Sequence, residues 1–212
     1  MAKKRKYETV RELIYWSYAN LAMALTAVDR NQEKYGTFNY MIRAKLFKGL
    51  KEGTMNMRTI FDDEKIKLET GQVCNYCGSN ENLALDHILA KNYVLKDSAE
   101  NLIYACRSCN SSKGKKDLME WMDYKNDFFP LMVIRRYLKL TYQFCEEQEL
   151  LDLRVEEVED MELPFKAQFN ADLAAVCRFK IRQLKEISFL ITLPANKAKP
   201  VKRQTVMRLL PN

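Results

Sequence analysis

Two Cys-x-x-Cys pairs, Cys74/Cys77 and Cys106/Cys109, constrain this chain more than any other feature. Each pair puts two thiols on one tight turn, and two such turns supply the four sulfurs of a tetrahedral structural zinc site. Gly78, directly after the first pair, can take the positive φ that such a turn often needs. The stretch between the pairs, Gly78 to Ala105, is longer than a simple zinc ribbon requires, so it carries an insert. Within it lie Asp86, Asn101 and His87, the only histidine of the 212 residues. Cys145 and Cys177 stand alone, as ordinary thiols. A secreted disulfide scaffold would be shorter and more evenly studded with cysteine, and the expected location is cytoplasmic.

Apolar residues make up 47% of the chain and charged residues 30%, the balance of a globular protein with material for a real core. No run of eighteen apolar residues is present, and no apolar segment follows the basic start Lys3-Lys4-Arg5-Lys6. Neither a membrane-spanning helix nor a secretory leader is therefore expected. The net charge of +7 is unevenly spread: acids crowd Glu146 to Asp172, whereas bases dominate both the start and Arg178 to Asn212. That distribution points to a polyanionic partner.

Val10, Ile14, Leu21, Leu25 and Val28 recur at helical spacing, which predicts a helix over 9–28. A second runs from near Phe38 to Leu50, with Gly49 and Gly53 marking its end, and a third carries Met57 to Leu68 and stops at Gly71. After Gln72 short apolar runs alternate with turn residues. Leu83-Ala84-Leu85 reads as a strand, Leu102 to Ala105 leads into the second cysteine pair, and a helix opens at Asn110-Ser111-Ser112 and carries Leu118, Trp121 and Met122. Leu131 to Phe144 is apolar around most of its circumference, as in a buried helix. A further helix carries Phe169 to Ile187, and a basic tail with Pro194, Pro200 and Pro211 closes the sequence. The expected division is an N-terminal helical region (1–70), a module holding the cysteines (71–126), a C-terminal helical region (127–193) and a flexible tail (194–212).

Cys74-x-x-Cys77, Asp86-His87-Ile88, Asn101-Leu102 and Cys106-Arg107-Ser108-Cys109-Asn110-Ser111-Ser112-Lys113 stand in an order that resembles the HNH endonucleases, the ββα-metal nucleases. The resemblance covers roughly a fifth of the chain, from Cys74 to Lys116. It implies an α+β fold: a zinc-braced, treble-clef-like ββα module flanked by mainly α-helical regions. By resemblance His87 is the general base, and an imidazole can take a proton from water near neutrality. Asp86 and Asn110 match the ligands of one catalytic Mg²⁺ or Mn²⁺, and Asn101 matches the asparagine that fixes the loop carrying the base, making the variant H-N-N. The family often has proline and paired glycines in that loop. This chain has Leu89 to Val94 instead, and Asn92 competes for the role of Asn101.

The resemblance implies metal-dependent hydrolysis of DNA, duplex first, in restriction or phage defence, with a homodimer or a partner protein as the further expected partner. Lys91, Arg107, Lys113, Lys115 and Lys116 surround the site in sequence and are candidate phosphate contacts. Two other readings stay open. One is a zinc-dependent DNA-binding module without catalysis, and the other is a module that joins a protein assembly.

Overall fold

A computed structural model of the protein describes residues 7–32, 34–57, 72–90, 99–125 and 130–165. Among them the architecture is α+β, with six α-helices and one two-stranded antiparallel sheet. In order they are α1 (Val10–Asp29), α2 (Thr37–Lys51), β1 (Leu83–His87), β2 (Leu102–Cys106), α3 (Arg107–Lys113), α4 (Leu118–Lys125), α5 (Leu131–Glu147) and the short α6 (Val155–Val158). One turn of 3-10 helix, Ala99–Asn101, leads into β2. No helix among these residues is long and apolar enough to cross a membrane.

The helical frame begins with α1. Thr9 caps it, its hydroxyl oxygen accepting from the Glu12 amide at 3.3 Å. Two further amides of the first turn find carbonyls far along the chain: Val10 donates to Leu153 and Arg11 to Leu151. Those groups have no partner inside the helix, so the loop before α6 completes its start. Val10, Leu13, Ile14 and Leu21 are buried, and α1 packs against α2 and α5. Gly53 takes a φ of +69° just past α2, as its reading as an end marker requires. Gly49 instead lies inside α2, where a Cβ would stand 2.7 Å from Met55 Cγ. Close approach, not termination, calls for glycine there. On α5 burial reaches even Arg136 and Lys139.

Strands β1 and β2 pair from Leu83 opposite Cys106 to His87 opposite Leu102. A lone hairpin of this length is marginal; here α3 packs on both strands. The expected single helix from Asn110 through Met122 is in fact two. The first starts earlier, at Arg107, so the second cysteine pair sits on a helical turn rather than ahead of it. Gly114 ends it with a φ of +53°. Asp117 then opens α4, its Oδ1 accepting from the Met119 and Glu120 amides at 2.9 and 3.1 Å. Glycine followed by a side-chain cap is a stop-and-restart signal, and it overrides a continuous apolar period.

One continuous buried cluster runs through the described residues, from Leu13 and Leu21 of α1 through Tyr76, Ile103 of β2 and Trp121 of α4 to Tyr137 of α5. The expected helix from Met57 to Gly71 falls outside the described residues beyond Met57 itself. The helix carrying Phe169 to Ile187, the basic tail and the boundaries after residues 70, 126 and 193 also fall outside them.

Candidate metal centre and adjoining polar site

Both cysteine pairs meet at the base of the hairpin. The sulfurs of Cys74, Cys77, Cys106 and Cys109 all lie within 4.8 Å of one another. A tetrahedron with Zn–S bonds of about 2.3 Å has sulfur–sulfur edges of about 3.8 Å, and Cys77 and Cys106 stand 3.8 Å apart. The first knuckle closes through Gly78 N–H to Cys74 O at 2.8 Å, with Gly78 at φ +79°. It is tied to β2 by Asn75, whose amide donates to Tyr104 O at 2.8 Å while its Oδ1 accepts from Tyr104 N–H at 3.0 Å. The second pair rides on α3: Cys106 is its N-cap, and the Cys109 amide donates to the Cys106 sulfur. That bond draws the Cys106 thiol down to about 7, whereas burial pushes Cys77 and Cys109 up. Four crowded sulfurs cannot all ionise unaided, and a soft divalent cation is what such a donor set fits. Lys125 adds positive charge, its ammonium 3.8 Å from the Cys109 sulfur and over the Trp121 ring.

Asp86 lies on the covered face of β1, opposite Ile103, and is 6% exposed. Its Oδ2 accepts from the Tyr76 hydroxyl at 2.7 Å and stands 3.3 Å from the Lys113 ammonium. Burial first, and then Asp86, hold the Tyr76 phenol well above its ordinary range, so it stays a donor. Burial draws Lys113 down from the ordinary lysine range while Asp86 pulls the other way. Lys113 also donates to the His87 carbonyl at 2.6 Å. The ammonium therefore joins the Asp86 side chain to the main chain of the next residue. The other carboxylate oxygen, Oδ1, accepts no hydrogen bond among the described residues.

His87 ends β1 and is half-buried. The pleat sends consecutive side chains to opposite faces, so imidazole and carboxylate leave the strand on different sides. The backbone beyond His87 is held by Asn101, itself 1% exposed. The Asn101 carbonyl accepts from Ile88 N–H at 2.9 Å, its Oδ1 accepts from Leu89 N–H at 2.8 Å, and its Nδ2 donates to Leu89 O at 2.9 Å. Asn110, on α3, donates through Nδ2 to Leu85 O at 3.4 Å, beside the same end of β1. Asn110 is not the helix start expected from sequence; Cys106 is.

Among the candidate phosphate contacts, Arg107, Lys115 and Lys116 are exposed. Lys113 is corrected: at 1% exposure its ammonium faces inward, because the face of α3 that carries it packs on β1. Lys91 and Asn92 fall outside the described residues. Two functional neighbours escaped the sequence reading. Tyr76 stood between two cysteines, where an aromatic reads as filler, and Trp121 was counted only as an apolar position. Tyr76 and Trp121 meet edge to face with centroids 4.9 Å apart, and Trp121 Nε1 donates to Ser112 Oγ at 3.0 Å.

Residues 74–116 match the family model of the HNH endonucleases. No curated protein and no solved structure matches. That segment holds the hairpin, α3 and all four cysteines. At family level it supports a nuclease-type or DNA-binding function.

Proposed function

We propose that this chain, an HNH module set in a helical frame, is a metal-dependent endonuclease that hydrolyses DNA phosphodiester bonds. One observation supports the reading: within the family-matched segment Asp86 and His87 are the last two residues of β1, and Asn110 of α3 bonds the Leu85 carbonyl beside them. A phosphodiester resists attack because it is anionic and its leaving alkoxide is poor. His87 takes a proton from water as the water oxygen bonds to phosphorus, and the bond to the leaving oxygen breaks with its electron pair. That oxygen is then protonated from solvent. Asn101 holds Ile88 and Leu89, so the backbone carrying the imidazole does not drift from the attack line.

Asp86 and Asn110 would hold one Mg²⁺ or Mn²⁺, which supplies charge neutralisation at the phosphate and the departing alkoxide. The donors fit in kind, since carboxylate and amide oxygens suit hard cations. Oδ2 of Asp86 is already engaged by the Tyr76 hydroxyl and the Lys113 ammonium, so a cation would take the other carboxylate oxygen, Oδ1. Zinc on the four thiolates would brace the hairpin and take no part in the chemistry. Arg107, Lys115 and Lys116 would contact phosphates. With one site per chain, a duplex needs two chains or two visits to lose both strands. The sequence class also suits restriction or phage defence in the cytoplasm.

The zinc-loaded protein incubated with supercoiled plasmid tests this reading. Nicked and then linear product is expected with Mg²⁺ or Mn²⁺ and none with chelator. Salt-sensitive DNA binding without cutting in either metal would instead identify a non-catalytic binding module.

A further inference from the structure

Helix α5 lies outside the family-matched segment, yet it reaches into it at the turn that sets the base loop. Arg136 of α5 is 3% exposed. Its guanidinium donates from Nε to Glu100 O and from Nη2 to Ala99 O at 3.3 Å. These are carbonyls of the 3-10 turn Ala99–Asn101. A planar fork of N–H groups can serve two carbonyls at once where an ammonium serves as a point charge. The last residue of the turn is Asn101. Its side chain and carbonyl carry the three bonds to Ile88 and Leu89, the residues directly after His87.

Tyr137, the next residue, is fully buried and makes a different tether. Its hydroxyl donates to Asp117 Oδ2 at 2.7 Å, at the cap of α4. Adjacent residues of one helix thus hold two separate parts of the module.

We propose that Arg136 is a positioning residue for the nuclease site. It orders the Ala99–Asn101 turn so that Asn101 can clamp the backbone beyond His87. The helical flank then serves the chemistry and is more than a solvated support. This rests on the endonuclease reading for its effect on rate, but not for its effect on the loop.

Amide hydrogen exchange of the zinc-loaded full chain reads the loop without any need for activity. In Arg136→Ala the Ile88 and Leu89 amides should exchange at least about tenfold faster than in Tyr137→Phe, compared at matched global stability, because only the first variant frees the turn. Arg136→Lys, the gentler change should the alanine variant fold poorly, should fall between. In steady-state cleavage Arg136→Ala should lower kcat by about tenfold to a hundredfold with KM little changed, since a displaced base costs rate rather than binding. Exchange at Ile88 and Leu89 equal to that of Tyr137→Phe would overturn the proposal, as would a loosened loop with undiminished kcat. If the wild-type protein cuts nothing, the endonuclease reading fails, and exchange alone decides whether Arg136 orders the loop.

Discussion

At the scale of single residues, the most consequential side chain is Lys113. A lysine 1% exposed survives inside a protein only with its charge compensated, and here Asp86 and the His87 carbonyl do so. Lys113→Met should strand the Asp86 carboxylate with Tyr76 alone and cost about 3–5 kcal/mol, the usual cost of removing one partner of a buried pair. Adding Asp86→Asn to that variant should recover much of the loss. Denaturant midpoints of the two single variants and the double variant measure the coupling, and simple additivity would mean that the two groups do not interact. The four-cysteine cluster was legible from its spacing, and Asn101 is buried with bonds to the backbone of Ile88 and Leu89. What spacing could not convey is direction. Lys113 reads as a surface base in a run of lysines, and only the packing of α3 on β1 turns it inward. Tyr76 was hidden for the same reason, since its partner is ten residues away along the chain.

At the scale of elements, the hairpin and α3 are too short to stand alone, and the sulfur cluster joins them. Zinc removal should therefore unfold the module rather than merely inactivate it. One zinc per chain is expected by elemental analysis, with loss of near-ultraviolet signal from Tyr76 and Trp121 on chelation. A chelated protein that keeps that signal would show the clamp to be dispensable. Helix α4 offers a test by pH. Burial raises the Asp117 carboxyl above its ordinary 3.8, against the opposing bonds from Tyr137 and the α4 amides. The native state thus holds this proton more tightly than the unfolded chain does, and the contribution of Asp117 to stability falls as pH rises from just above 3.8 through the raised value. Asp117→Asn keeps an acceptor for the α4 amides and does not titrate. Wild type should therefore lose ground to the variant over a pH window that opens just above 3.8 and closes above the raised value. A stability difference that is flat or opposite in sign across that window would contradict the assignment. Among the described residues α1, α2, β1 and α5 were readable from period and punctuation. The α3–α4 break was not, because Leu118, Trp121 and Met122 continue an apolar period across Gly114 and Asp117.

At the scale of the whole molecule, one core joins frame and module. The N-terminal start of α1 is completed by the loop at Leu151 to Leu153, and Arg11 reinforces it with a two-pronged pair to Asp152 at 3.0 and 3.1 Å. Long-range closure of this kind leaves no local signal, so the sequence shows helical flanks without showing that α5 bonds Ala99, Glu100 and Asp117. The proposed hydrolysis nevertheless turns on one imidazole. Single-turnover cleavage of duplex DNA by zinc-loaded wild type and His87→Ala, with Mg²⁺ present, addresses it directly. Loss of the general base should slow cutting by about a hundredfold to ten-thousandfold while DNA affinity and zinc content hold. A variant that cuts at the wild-type rate would contradict it.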